Sequence, residues 1–382
     1  MTSYTLLMPC LNEAETLSKC IKKAHQGTKL AGLKDYEILI VDNGSTDGSQ
    51  ALAIAEGARV VSMEKRGYGA ALIKGINEAR GEYVVMGDAD DSYDWSDLKP
   101  YVTKLSDGAD LVIGTRIKGN IAPNAMPFLH RWIGNPILTG LGNILFRTKL
   151  SDYHGGMRGF KRNVIQNLNL RTSGMEFATE MIAKAAIHGL NISEIPINYH
   201  VDGRSRKPHL NTWGDGWRHL TFMFLVSPNW ILLFPGLIIL FFGMLGTVLT
   251  LPAPLVIGKV TFDVQTLLVS SMAIILGMQL ITFWLIAKLY TSVTNLMPAS
   301  SIVQLLSRGK LLSYWLLAGF ILSVLGLLPL SISFINWLNV DLGALNYQTS
   351  LRLVIPSLVL LAIGLHIFFA AFVMALINLE HD

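Results

Sequence analysis

Four long runs without a single formal charge constrain this 382-residue chain more than any other feature: residues 230–251, 264–287, 311–338 and 353–379. A helix needs about 20 apolar residues to cross roughly 30 Å of hydrocarbon. Each run meets that length, and buried helices of soluble proteins rarely run so far without a charge. The expectation is four spans in an all-α domain over 230–382. Pro235, Pro329 and Pro356 fall inside the runs, where neighbouring helices absorb a kink. Composition agrees. Charged residues make up 15% of the chain, against about 25% in soluble domains. Of its 31 basic and 27 acidic residues, five and four follow Trp230. A water-compatible N-terminal part is therefore joined to a lipid-compatible one.

Basic residues orient the spans. The loop between spans two and three holds Lys288, Arg308 and Lys310 and no acid, whereas the other two loops hold Lys259 and Arg352. Positive-inside logic puts the middle loop, the N-terminal domain and both termini in the cytoplasm. Residues 1–8 have neither a basic leader nor room for an apolar signal core, so no secretory signal is expected. Residues 211–229 carry Trp213, Trp217, Leu220 and Phe224 near helical spacing, the pattern of an amphipathic helix in the headgroup zone. Cys10 and Cys20 read as reduced thiols. The net charge of +4 gives no reason to expect nucleic acid.

Residues 1–210 form the N-terminal domain. Its first part alternates strand and helix, with strands at 4–8, 37–41, 59–62, 83–86 and 111–114 and helices at 13–26, 47–56 and 70–80; a further helix is expected at 176–188. That order implies a parallel sheet covered on both faces, with ligands at the carboxyl ends of its strands. Asp42-Asn43-Gly44-Ser45 ends the second strand, and Gly87-Asp88-Ala89-Asp90-Asp91 ends the fourth. No phosphate-binding P-loop is present. Gly67-Tyr68-Gly69-Ala70-Ala71-Leu72 lacks the third glycine of a dinucleotide fingerprint. Asp88 and Asp90, two carboxylates at i and i+2, repel one another unless a cation lies between them. Oxygen ligands of this kind suit Mg2+ or Mn2+, which also take nucleotide phosphates.

Taken together, Pro9-Cys10-Leu11-Asn12-Glu13, the Asp42–Gly48 turn, Gly67-Tyr68-Gly69-Ala70-Ala71 and the Asp88-Ala89-Asp90 run resemble a family 2 glycosyltransferase of GT-A fold. Gly114-Thr115-Arg116, Gly156-Met157-Arg158-Gly159-Phe160 and Gly203-Arg204-Ser205-Arg206-Lys207 narrow the resemblance to the dolichyl- or polyprenyl-phosphate sugar synthases. It covers roughly residues 4–225. The fold it implies is α/β, a GT-A domain with a Rossmann-like parallel sheet, followed by the four-helix membrane domain.

The resemblance implies that Pro9, Glu13, Asp42, Asp88 and Ala89 bind a nucleotide sugar. It implies that Asp88 and Asp90 hold Mg2+ or Mn2+, and that Asp90, Arg116 and Arg131 are catalytic. The acceptor would be polyprenyl phosphate, held by Arg131, Arg158, Arg204, Ser205, Arg206 and Lys207. Many relatives carry a glutamine two positions past the second aspartate; here Ser92 stands there, with Asp91 beside it, and either Asp91 or water is left to complete the metal's shell. The implied reaction is an inverting transfer of one sugar, glucose from UDP-glucose favoured and mannose from GDP-mannose the alternative, at the cytoplasmic face of a multi-pass membrane protein. A lipid phosphate, with its second pKa near 6, needs no strong general base. Two rival readings fit less well. A processive polysaccharide synthase would carry Q-x-x-R-W, but Phe128 stands three positions before Arg131-Trp132. A non-enzymatic lipid-linked-sugar membrane protein sits badly with intact Asp42, Asp88 and Asp90. Self-association is left open.

Overall fold

The structure is a computed structural model that describes residues 4–64, 66–206, 212–294, 297, 301–306 and 309–379. It divides into two compact units, Met1–Val226 and Ser227–Asp382.

The first unit is built on a seven-stranded sheet. Its strands are β1 (Tyr4–Cys10), β2 (Tyr36–Asp42), β3 (Arg59–Ser62), β4 (Tyr83–Met86), β5 (Leu111–Ile121), β6 (Arg158–Lys161) and β7 (Ile192–Tyr199). They lie in the order β3-β2-β1-β4-β6-β5-β7. All run parallel except β6, which is antiparallel to both β4 and β5. The sheet is thus the mostly parallel GT-A type expected, with one reversed strand that local patterning did not announce. Leu6, Leu7 and Met8 of β1 and Leu39, Ile40 and Val41 of β2 are all buried. Strands covered on both faces read as continuous apolar runs rather than alternations.

Helices α1 (Leu17–Leu30), α2 (Ser49–Ala55) and α3 (Tyr68–Glu78) link the first four strands. Leu17, Ile21, Ala24 and Thr28 form the buried stripe of α1, the spacing that puts one face against a sheet. Then come α4 (Lys99–Ser106), a π-helical turn at His130–Gly134 leading into α5 (Asn135–Phe146), α6 (Arg162–Gln166), α7 (Phe177–Ile187) and α8 (Thr212–Leu225).

In the second unit, α9 (Phe234–Thr250) and α10 (Val264–Val293) flank a small hairpin, β8 (Leu255–Ile257) and β9 (Val260–Phe262). They are followed by α11 (Ser301–Leu306), α12 (Gly309–Leu338) and α13 (Tyr347–Leu379). Among the described residues, four helical stretches are long and apolar enough to cross a membrane: Asn229–Thr250, Val264–Val293, Ser313–Leu338 and Tyr347–Asn378. Their number and order are those expected. Pro235 follows a π-helical turn at Asn229–Leu233 inside the continuous stretch Asn229–Thr250; Pro329 and Pro356 are interior to α12 and α13. Gly319 of α12 faces Gly364 of α13, and a Cβ on either would come within 2.7 Å of the other's carbonyl oxygen. Small residues of this kind let membrane helices approach backbone to backbone.

Candidate active site

Strand order alone places a crevice. From β1 the chain moves outward to β2 and β3, then returns to the other side of β1 to lay down β4. Ligands of such sheets bind where the winding reverses, beyond the carboxyl ends. The residues that follow β1 and β4 there are Leu11–Glu13 and Gly87–Asp91.

On the β2 side, the buried Asp42 carboxylate accepts from the backbone N–H groups of Gly44 (3.1 Å) and Ser45 (3.2 Å) and from Gln50 Nε2 (2.6 Å). It shapes the turn. The turn is tied to the β1 end, since Asn12 N–H donates to Ser45 Oγ (2.8 Å) and Glu13 N–H to Ser49 Oγ (3.0 Å). Asn43 Oδ1 accepts from Gly67 N–H (3.2 Å). Gly67 has φ +151° and would meet the Ser173 carbonyl oxygen at 2.4 Å if it carried a Cβ. Only glycine satisfies both conditions. Tyr68, next in line, donates its hydroxyl to Asp88 Oδ1 (2.9 Å).

Asp88 and Asp90 sit at the floor. Trp95 Nε1 donates to the Asp88 carbonyl (3.0 Å). Burial, and then the neighbouring Asp90, push the Asp88 carboxyl up to about 7. Asp90 Oδ1 accepts from the Ser92 N–H (3.0 Å) and hydroxyl (2.5 Å), and Asp90 Oδ2 accepts from Arg204 Nη2 (2.8 Å). Ser92 therefore braces Asp90. Asp91, at φ +63°, turns away and pairs with Lys19 and Lys23 of α1. Both of its carboxylate oxygens are thereby engaged by lysines. Among the described residues no three His, Cys, Asp or Glu side chains converge on one point. The donor set, two hard carboxylate side chains on neighbouring residues, fits Mg2+ or Mn2+, which take few protein ligands.

Pro9 is half-buried within β1, and the buried Ala89 accepts from Thr16 Oγ1 through its carbonyl (2.7 Å). Arg116 gives Nε and Nη2 to Asp152 at 2.7 and 2.9 Å and lies over the Tyr199 ring. Burial alone would raise the Asp152 carboxyl, but Arg116 outweighs it and holds that group well below the usual carboxylate range. The sequence reading places Arg158 on a lipid phosphate. The structure instead buries it completely, donating to the carbonyls of Gly155 (3.0 Å), Ala178 (2.7 Å) and Tyr153 (2.9 Å). It holds the 152–158 loop, whose Gly156 abuts Asp88 Oδ2 and donates its N–H to Tyr93 Oη (2.7 Å). Arg131 lies on the π-helical turn with its guanidinium 5.2 Å from the Trp132 ring centre. It makes no hydrogen bond or ion pair to the acids among the described residues.

The 200–206 segment folds over the crevice. His200 N–H donates to the Ser92 carbonyl (2.8 Å) and Gly203 N–H to the Asp90 carbonyl (2.9 Å). Arg204 reaches Asp90, Glu13 and Asp202, and Arg206 reaches Glu13 (2.7 Å). Ser205 donates its N–H and hydroxyl to Glu15. Lys207 lies outside the described residues. Sequence reasoning missed Asp152, Tyr68, Tyr93 and Asn43 as builders of the site. Glu180 is a further builder: paired with Lys184, its carboxylate accepts from the Arg171 and Thr172 N–H groups. That shapes the loop against which Gly67 packs.

The chain matches Glycosyl transferase family 2 over residues 5–168 and the Glycosyltransferase family 2 C-terminal transmembrane region over residues 285–378. It is 35% identical to the low-salt glycan biosynthesis hexosyltransferase Agl6 of Haloferax volcanii over 285 residues, 74% of this chain and 67% of that protein. Two other proteins of that organism are similar. Glycosyltransferase AglJ is 30% identical over 55% of this chain and 67% of its own length. A dolichyl-phosphate hexose transferase is 31% identical over 52% of this chain and 86% of its own.

Proposed function

Because the chain belongs to glycosyl transferase family 2, we propose that it moves one hexose from a nucleotide sugar to polyprenyl or dolichyl phosphate at the cytoplasmic face of a membrane, with inversion. UDP-glucose is the favoured donor and GDP-mannose the alternative. The observation that carries the reading is the acid pair Asp88 and Asp90 at the reversal point of the sheet, beside Glu13 and Asp42. The hexosyl and dolichyl-phosphate activities named for the relatives support the choice of substrates.

Asp88 and Asp90 would hold Mg2+ or Mn2+, which supplies charge neutralisation for the departing diphosphate. Pro9, Glu13, Asp42 and Ala89 would line the nucleoside pocket. The lipid phosphate arrives largely as a dianion at neutral pH, its second pKa being near 6. One of its oxygens forms the new bond to the anomeric carbon as the bond to the diphosphate oxygen breaks. Arg131, Arg204, Ser205, Arg206 and Lys207 would position that phosphate; guanidinium groups suit the task because they bind it as a fork. Arg116 and Arg158 would act one step removed, by fixing the walls. We further propose the functional division 1–210 catalytic, 211–229 interfacial and 230–382 membrane-embedded. Trp213 and Trp217 of α8, 77% and 69% exposed, support an in-plane helix.

The test uses the full-length protein in detergent with radiolabelled polyprenyl phosphate and a panel of nucleotide sugars. Asp90→Asn is expected to lower lipid-linked hexose formation by about 100-fold or more, in protein that still melts cooperatively. Near-normal turnover in that variant would remove the metal assignment.

A further inference from the structure

Three arginines are buried or nearly so around the crevice, and they are used differently. Arg116 grips one carboxylate with two parallel donors. Arg158 gives three nitrogens to three carbonyls. Arg204 is stretched over three acids. Its Nη1 reaches Glu13 at 3.3 Å, and its Nη2 is shared between Asp90 (2.8 Å) and Asp202 (3.1 Å). Its Nε is buried with no acceptor among the described residues. A guanidinium with a permanent structural role normally has its buried donors paired, as the other two do. The Arg204 and Asp90 side chains are only 12% and 11% exposed, so water screens their attraction poorly.

We propose that Arg204 is a positioning residue that stands in for the divalent cation at Asp90. The inference rests on the reading of Asp88 and Asp90 as the cation's carboxylates. Clustered acids require a positive charge among them, and in this structure the guanidinium provides it. Asp90 Oδ2 serves either Arg204 or the cation, so the two compete. Loading the site detaches Arg204 from Asp90 and leaves its fork, orphaned Nε included, for a phosphate oxygen. The cation alone therefore binds weakly. The acceptor's phosphate, which gives the released guanidinium a new partner, strengthens cation binding, and the cation strengthens binding of that phosphate by the same factor.

The experiment titrates Mn2+ alone, without nucleotide, into the full-length protein in detergent and follows free Mn2+ by electron paramagnetic resonance. Arg204→Gln is expected to bind Mn2+ about tenfold more tightly than the wild type, which corresponds to about 1.4 kcal/mol. Arg204→Lys keeps the charge but loses the fork, and falls between the two. Arg206→Gln removes an equal charge but leaves the Asp90 pair in place, so its change is the smaller. If Arg204→Gln fails to fold, the Arg204→Lys result stands alone, and wild-type affinity there overturns the proposal. Wild-type or weaker affinity in Arg204→Gln, with Asp90→Asn still weakening Mn2+ binding, overturns the role of Arg204 and leaves the metal reading standing. If Asp90→Asn leaves Mn2+ affinity unaltered, the metal reading fails and this inference with it.

Discussion

Asp152 has no exposure to water, and Arg116 makes that burial tolerable through two hydrogen bonds. Removing one member of a buried ion pair leaves the other uncompensated and costs about 3–5 kcal/mol. Asp152→Ala is therefore expected to lower the melting temperature severely. Replacing both partners with apolar residues should recover part of the loss, which thermal melts of the single and double variants check. The sign with pH follows from the depressed carboxyl. The pair's contribution is complete above the unfolded aspartate value near 3.9 and disappears as acid reaches the lower folded value. Local sequence identified Asp88 and Asp90 because a doublet of acids closing an apolar strand is visible in five residues. It did not show Asp152 as a partner, because Arg116 stands 36 residues away and spacing carries no record of that meeting. For the same reason Arg158 looked like any basic residue near a phosphate site, although its burial gives it to carbonyls instead.

Elements differ in how local their causes are. α1, expected at 13–26, lies at Leu17–Leu30, so its existence was legible but not its start; β6, four residues long, exists through its pairing with β4 and β5. The helix before the membrane was expected from its tryptophans, and α8 spans Thr212–Leu225. Its inner face could not be foreseen. His219 is buried there, sharing a 2.7 Å hydrogen bond with Thr179 of α7, and its ring lies 4.6 Å from that of His154. Burial pushes His219 down to about 4 and His154 well below its ordinary value. An unfolded histidine takes a proton near 6.5, whereas these remain neutral in the fold. Stability is therefore full above pH 6.5 and falls as the pH drops toward 4, by on the order of 3 kcal/mol for His219. Melting temperatures across that window should decline, and His219→Gln should flatten part of the slope. An equal slope in the variant would contradict the assignment.

For the whole molecule, orientation across the membrane has a simple readout. Arg352, one of the two basic residues counted in the outer loops, is paired with Asp263, which further reduces their effective positive charge relative to the middle loop. We propose that the β8–β9 hairpin lies outside and the first unit inside. Cys10 and Cys20 are buried and their thiols are pushed up to about 11 and 12 by that burial; thiols so protonated react slowly. Introduced cysteines can therefore be read against a silent background. A membrane-impermeant maleimide should label Lys259→Cys in intact cells and Lys34→Cys only after permeabilisation. The reverse pattern would invert the topology.

Span count, the alternation of strand and helix, and the acids at the strand ends were readable along the chain, because each depends on neighbours within a turn, a strand or a run of about 20 residues. Which arginine faces which acid was not. Arg204 meets Asp90 from 114 positions away, and Arg116 meets Asp152 across 36. Charge is written in the amino acids, but its partner is chosen by burial and distance, and those arise when the chain closes on itself.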